Sequence, residues 1–214
     1  MINILKINSQ NPEPERISQA ADIIRAGGVI GYPTETVYGI GANIFNRDAV
    51  ARIFDIKGRA QQKAIIVIVP TIDVLNELAA NISFGAKKLI EAFWPGPLTM
   101  IFQASKKVPR EITGGGATVA IRIPANEICI QLMQKSGVPI TSTSANLAGA
   151  PNPVSAPEVA QNLGDRVDLI IDGGPSKSGT PSTVIDATGE QIRIIRAGAI
   201  DKVDIERIDK IGKK

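Results

Sequence analysis

The chain has 214 residues with a formal charge of +3, 43% hydrophobic and 21% charged residues, no histidine and one cysteine, Cys129. That composition suits one folded unit with a full core. It excludes an intramolecular disulfide and a His- or Cys-based zinc or haem constellation, and its charge is too small to argue for nucleic-acid binding by itself. No run approaches the ~18 consecutive apolar residues of a membrane helix, and the start Met1–Lys6 lacks the features of a signal peptide, so the expectation is a cytoplasmic protein with no membrane partner.

Along the chain, short apolar and partly β-branched runs predict strands at residues 28–32, 65–69, 98–102, 119–123, 138–141, 169–171, 183–185 and 192–195. Helical faces lie between them: Ile17, Ala20, Ala21 and Ile24 with a stop at Gly27-Gly28; Ala49, Val50, Ile53 and Phe54 with Asn46 as N-cap; Leu89, Ile90 and Phe93, ending at Trp94 before Pro95; Ile128, Leu132 and Met133 before Gly137; and a terminal face of Ile205 and Ile208. Residues 146–157, rich in Pro, Ala and Asn, read as a long functional loop. Interleaved strands and helices predict an α/β fold with helices packed on a sheet.

Five segments are more polar or more glycine-rich than a core requires. Tyr32–Gly41 carries Thr34, Glu35 and Thr36 directly after a strand; a turn with locally bonded hydroxyls explains it equally. Lys57, Arg59 and Lys63 lie within seven residues, in a loop able to clamp phosphate or simply be solvated. In Thr113–Pro124, three glycines can present N–H groups to an anion, and Thr118 and Arg122 share one strand face; Arg122 either pairs with an internal acid or holds an anion. Thr141–Ser144 ends a strand with four hydroxyls, where Ser144 or Asn146 also suits a cap. In Asp172–Asp186, Gly174 and Gly179 have P-loop spacing, but Thr180 stands where that motif requires Lys, so a Walker site is rejected. Together these hydroxyls, cations and glycines suit a polyanion, and the missing histidine excludes Ser-His-Asp, Cys-His and His-metal chemistry while leaving a Ser-Lys pair open.

In this order, Pro33–Gly39, Lys57-Gly-Arg59, Trp94–Thr99, Ala120–Pro124, Thr143–Asn146, Ser182–Asp186 and Arg196–Gly198 resemble the YrdC-like family of threonylcarbamoyl-adenylate synthases. The resemblance covers about residues 15–200 of what would be a single YrdC-like domain, 1–214. It implies a twisted mixed sheet flanked by helices around a concave, positively charged cavity. It also implies a nucleotidyltransferase that joins L-threonine, bicarbonate or CO2 and ATP into threonylcarbamoyl-AMP and pyrophosphate. Mg²⁺ would accompany ATP, and no tightly bound protein-liganded metal is implied. Thr34, Arg122, Ser142 and Ser182 would contact threonine or its carbamate. Arg59, Lys63, Thr118, Ser144, Asn152 and Arg196 would contact ATP, with Lys57 and Arg59 as the catalytic cations. The adenylate would pass to tRNA-modifying partner proteins; direct binding of tRNA or double-stranded RNA is a further implied partner class.

The chain departs from the family pattern at Ala60, at Ala64-Ile65, at Ile68, where some members carry His, and at Asn152, where Ser is usual. Two rival readings are a non-catalytic RNA-binding protein on the same fold and a carbamoyl-transfer module of hydrogenase-maturation proteins. Retention of Lys57, Arg59, Ser144 and Asn146 favours the enzyme over the first. The absence of zinc-binding cysteines and of a far longer chain speaks against the second.

Overall fold

The computed structural model describes residues 2–58 and 63–210. In chain order its elements are β1 (Ile4–Lys6), α1 (Pro14–Arg25), β2 (Ile30–Tyr32), β3 (Gly39–Gly41), α2 (Arg47–Lys57), β4 (Ile66–Ile68), α3 (Ile72–Leu78) and α4 (Phe84–Phe93). There follow β5 (Leu98–Gln103), α5 (Arg110–Thr113), β6 (Thr118–Arg122), α6 (Glu127–Ser136), β7 (Ile140–Thr141), β8 (Thr143–Ser144), α7 (Ala156–Leu163), β9 (Leu169–Asp172), β10 (Thr183–Asp186), β11 (Arg193–Arg196) and α8 (Lys202–Lys210). The expected mixed α/β architecture is present, with its strands divided between two sheets. One runs β1-β9-β2-β3-β8, the other β11-β10-β5-β6-β4-β7. Each mixes parallel and antiparallel pairs. Among the described residues, no helix is long and apolar enough to cross a membrane.

Side-chain alternation sorts the layers around the five-stranded sheet. Ile30 and Tyr32 of β2 and Leu169 and Ile171 of β9 cluster with Ile17, Ala21 and Ile24 of α1 and Leu132 and Met133 of α6. The intervening Ile170 joins Val159 and Leu163 of α7 in the larger core. The helix ends obey their local chemistry. Asn46 Oδ1 accepts from Ala49 N (3.0 Å), and Gly58 closes α2 at φ 57°. Gly137, at φ 73°, closes α6. Helix α4 ends at Phe93 with Trp94 as its cap, just before Pro95.

Two features of this arrangement position the site. Between β7 and β8 the chain leaves one sheet and joins the other, and Ser142 is the residue at that step. Strand β3 brings its glycines against Tyr32: a Cβ at Gly41 would meet Thr141 O at 2.5 Å and Tyr32 Cε1 at 2.8 Å. Only glycine permits that approach.

Candidate functional site

A cavity of about 220 Å³ opens where both sheets contribute strand ends. Its wall includes Thr34 and Thr36 after β2, Thr99 at the start of β5, Arg122 at the end of β6, and Ser142 and Ser144 at the β7–β8 step. Thr143, Asn152, Ser182 and Arg196 add to the polar lining. The floor is buried: Thr34, Thr36, Thr99, Arg122 and Ser182 are all inaccessible or nearly so, whereas Ala64, Asn152 and Arg196 are exposed.

Arg122 is held by an internal acid. Its Nη2 donates to Glu35 Oε2 at 2.8 Å, and Nη1 donates to Thr36 Oγ1 at 3.3 Å. The two side chains are 6% and 13% exposed, which makes this the most buried ion pair among the described residues. Of the two readings open for Arg122, the internal acid is present as Glu35, and the side chain also lines the cavity. The pair is incomplete, because Arg122 Nε and Glu35 Oε1 are buried without a hydrogen-bond partner among the described residues. Glu35 itself borders a second, larger cavity that shares Thr34 with the first.

The first hydroxyls are engaged locally. Thr34 Oγ1 donates to Val37 O (2.7 Å) and accepts from the N–H groups of Thr36 and Val37. The Thr34 and Thr36 hydroxyls also meet at 2.8 Å, a contact that either can donate. This is the local turn that composition alone also allowed. The Asp172–Asp186 segment is stitched to it. Ser176 Oγ donates to Thr34 O, Ser178 N to Glu35 O and Gly179 N to Thr36 O. Tyr38 adds a bond from its hydroxyl to Gly174 O at 2.6 Å. Behind the turn, Cys129 Sγ donates to Pro33 O; burial, with Glu35 nearby, pushes this thiol well above its ordinary value, so it is no nucleophile.

Arg196 stands differently. Its Nη2 donates to Ser182 O (2.7 Å) and Ser182 Oγ (3.2 Å), and Ser182 Oγ is 2.8 Å from Thr99 Oγ1. Among the described residues it forms no ion pair with a carboxylate. Partial burial of the guanidinium, and then the charge of Arg122, lower its pKa. Two cations that feel each other share this cavity.

Several candidates read from the sequence lie elsewhere. Lys57 Nζ is 6% exposed and donates to Ser144 O and Asn146 O, each at 2.6 Å, and to Asn146 Oδ1 at 2.8 Å. Its charge fastens the Ser144–Asn146 turn, and it is not among the described residues that line the cavity. Thr118 sits at the far end of β6 from Arg122 and Lys63 is exposed; neither lines the cavity. Gly114, Gly115 and Gly116 close α5, with the N–H groups of Gly115 and Gly116 bonded to Arg110 O and Thr113 O. They form a helix stop, not an anion cradle. Arg59 and Ala60 lie outside the described residues. Thr34, Arg122, Ser142, Ser144, Asn152, Ser182 and Arg196 all line the one cavity. Sequence reasoning gives no role to Thr99, although its motif stands out, and does not single out Glu35 as the internal acid.

The family model Sua5_yciO_yrdC, described as "Telomere recombination", matches residues 22–198. The chain belongs to this family. A threonylcarbamoyl-AMP synthase of Pyrococcus abyssi is 43% identical over 196 residues, covering 92% of this chain and 58% of its own length. One of Bacillus subtilis is 40% identical over 205 residues, covering 95% and 58%. The chain thus spans less than two thirds of these two relatives. The crystal structure of P. abyssi Sua5 complexed with L-threonine superposes with a TM-score of 0.93 at 42% identity, over 96% of this chain and 60% of that one.

Proposed function

We propose that this chain, as one domain, is an L-threonylcarbamoyladenylate synthase: a nucleotidyltransferase making threonylcarbamoyl-AMP and pyrophosphate from L-threonine, bicarbonate or CO2, and ATP. The observation that carries this reading is the convergence of Arg122, Arg196 and a set of hydroxyls on one small cavity. The burial gradient supports a division of labour. Arg122, Ser182 and Thr34, read as threonine contacts, are buried, with Ser142 half-buried; of the described residues read as nucleotide contacts, Asn152, Arg196 and Lys63 are exposed and Thr118 and Ser144 half-buried. A small amino acid on the floor and a nucleotide at the mouth fit that order. Family membership, and relatives named for this reaction, support it further.

In this reading the amine of threonine takes up carbon dioxide as a carbamate, whose oxygen attacks the α-phosphate in line as pyrophosphate departs. The protein's part is positioning and charge neutralisation. Arg122 orients the amino acid's carboxylate and Arg196 meets phosphate oxygens. Lys57 acts indirectly by holding Ser144 in place. Mg²⁺ would ride on the triphosphate and supply further charge neutralisation. The product would serve tRNA-modifying partner proteins in the cytoplasm.

The test is an omission assay with purified protein and Mg-ATP. Pyrophosphate should appear only when threonine and bicarbonate are both present. Phosphate released without threonine would indicate a plain ATPase. No release at all, together with strongly salt-dependent RNA binding, would favour the non-catalytic RNA-binding alternative.

A further inference from the structure

We infer that Thr99 is a positioning residue which, with Arg196, fills the acceptor positions of Ser182 and leaves its hydroxyl proton for an anionic oxygen of the ligand. The inference rests on the threonine-and-ATP reading above and names the polarity of one contact within it.

The argument is a count of hydrogens. Thr99 and Ser182 meet across a parallel strand pair in which Thr183 lies opposite Leu98. Their hydroxyl oxygens are 2.8 Å apart. Thr99 has no accessible surface, and among the described residues its hydroxyl has Ser182 alone as a partner. A buried hydroxyl hydrogen left without an acceptor is costly, so Thr99 donates. Arg196 has no acceptor to offer, so it donates too, at 3.2 Å. Both lone pairs of Ser182 Oγ are then filled, and its one hydrogen has only the cavity to enter. A carboxylate, carbamate or phosphate oxygen accepts that hydrogen. An ammonium group cannot bind there, because Ser182 has no free lone pair. The amino group of the amino acid must therefore lie away from Ser182. The Thr34 hydroxyl runs the other way, passing its one hydrogen back to Val37 O.

The experiment measures threonine binding by calorimetry for wild type, Thr99→Val, Thr99→Ser, Ser182→Ala and the Thr99→Val/Ser182→Ala double variant, with thermal unfolding of each alongside. Loss of the Thr99 hydroxyl should weaken threonine binding about tenfold, and Thr99→Ser should restore it. In the Ser182→Ala background, Thr99→Val should add less than about twofold, since both changes remove one device. Should the valine variant fail to fold, Thr99→Ala carries the same comparison. Wild-type-like affinity in Thr99→Val, or a loss that adds in full to that of Ser182→Ala, would overturn the inference and leave the synthase reading standing. If the wild type binds no threonine, both fall.

Discussion

Arg122 and Arg196 line the same cavity, each beside a pair of hydroxyls, yet they are held in opposite ways. Arg122 is buried and its charge is offset inside the protein by Glu35. Arg196 is exposed and leans on neutral Ser182. On the Arg122 side the Thr34 hydroxyl hydrogen runs back into the backbone at Val37; on the Arg196 side the inferred relay runs towards the cavity. The contrast teaches that residue type alone does not assign a role. A guanidinium with an internal counter-ion chiefly supplies fixed geometry, through whichever of its five N–H donors stay unengaged. One without a carboxylate supplies net charge, which attracts an anionic ligand and falls in value as salt rises.

Removing Arg196 should therefore produce the largest effect. Arg196→Ala takes away a charge-assisted donor from a site that has little else to offer phosphate oxygens, at a cost of about 100-fold in kcat/KM. Thermal stability should hardly change, since the residue is exposed on the edge strand β11. Steady-state kinetics with both co-substrates check this. Turnover close to wild type would erase the distinction between the two arginines.

Disabling the internal acid should do the reverse, costing stability first. Glu35→Ala strands a buried guanidinium, which destabilises by about 3 kcal/mol, readable by denaturant unfolding. Glu35→Gln keeps an acceptor for Arg122 Nη2 and should cost less. Threonine or sulfate should then raise the melting temperature of the alanine variant more than that of wild type, because the added anion takes over the missing charge. Equal shifts in both proteins would mean that Arg122 answers only to Glu35.

Much of this is legible in the sequence, and the failures have physical causes. Every predicted strand exists, because runs such as Ile66–Ile68 and Leu169–Ile171 are β-branched or apolar and buried. Strands β1, β3 and β8 escape the pattern: β1 is three residues with a largely exposed face, Gly39-Ile-Gly41 has the composition of a turn, and two residues at Thr143-Ser144 show no periodicity. Helix α7 begins inside the expected loop 146–157, although Ser155 caps it, its Oγ accepting from Glu158 N, while Glu158 accepts from Val154 N at 2.8 Å and from Ser155 Oγ at 3.0 Å. Most of the cavity wall is legible because its residues sit at strand ends. What spacing could not reveal is which polar groups are already satisfied. The hydrogen bonds that occupy Thr34 and Lys57 come from tertiary contacts or a turn's particular path, and the Glu35–Arg122 pair spans 87 residues.

The smallest expected effect comes from an ion pair remote from the cavity, and it sets the background for the other two. Arg52 reaches Asp168 through Nη1 at 2.9 Å and Nη2 at 3.1 Å, while Val29 N donates to the same carboxylate at 2.7 Å. Burial alone would raise the Asp168 carboxyl; the bonds from Arg52 and Val29 and the charge of Arg52 outweigh it and hold the pKa below the ordinary 3.8. A depressed carboxyl stabilises the fold above its unfolded value, and that stability is lost as pH falls through the lower folded value. The gap in stability between wild type and Asp168→Asn should therefore be flat near neutrality and shrink below about pH 4. Both side chains are well exposed, at 43% and 39%, so solvent screening limits the charge contribution to a few tenths of a kcal/mol. Threonine affinity should be unchanged throughout. Urea unfolding at stepped pH measures the gap, and a gap that instead widened on acidification would mean that the carboxyl is neutral in the folded protein and that the Arg52 contact carries no charge pairing.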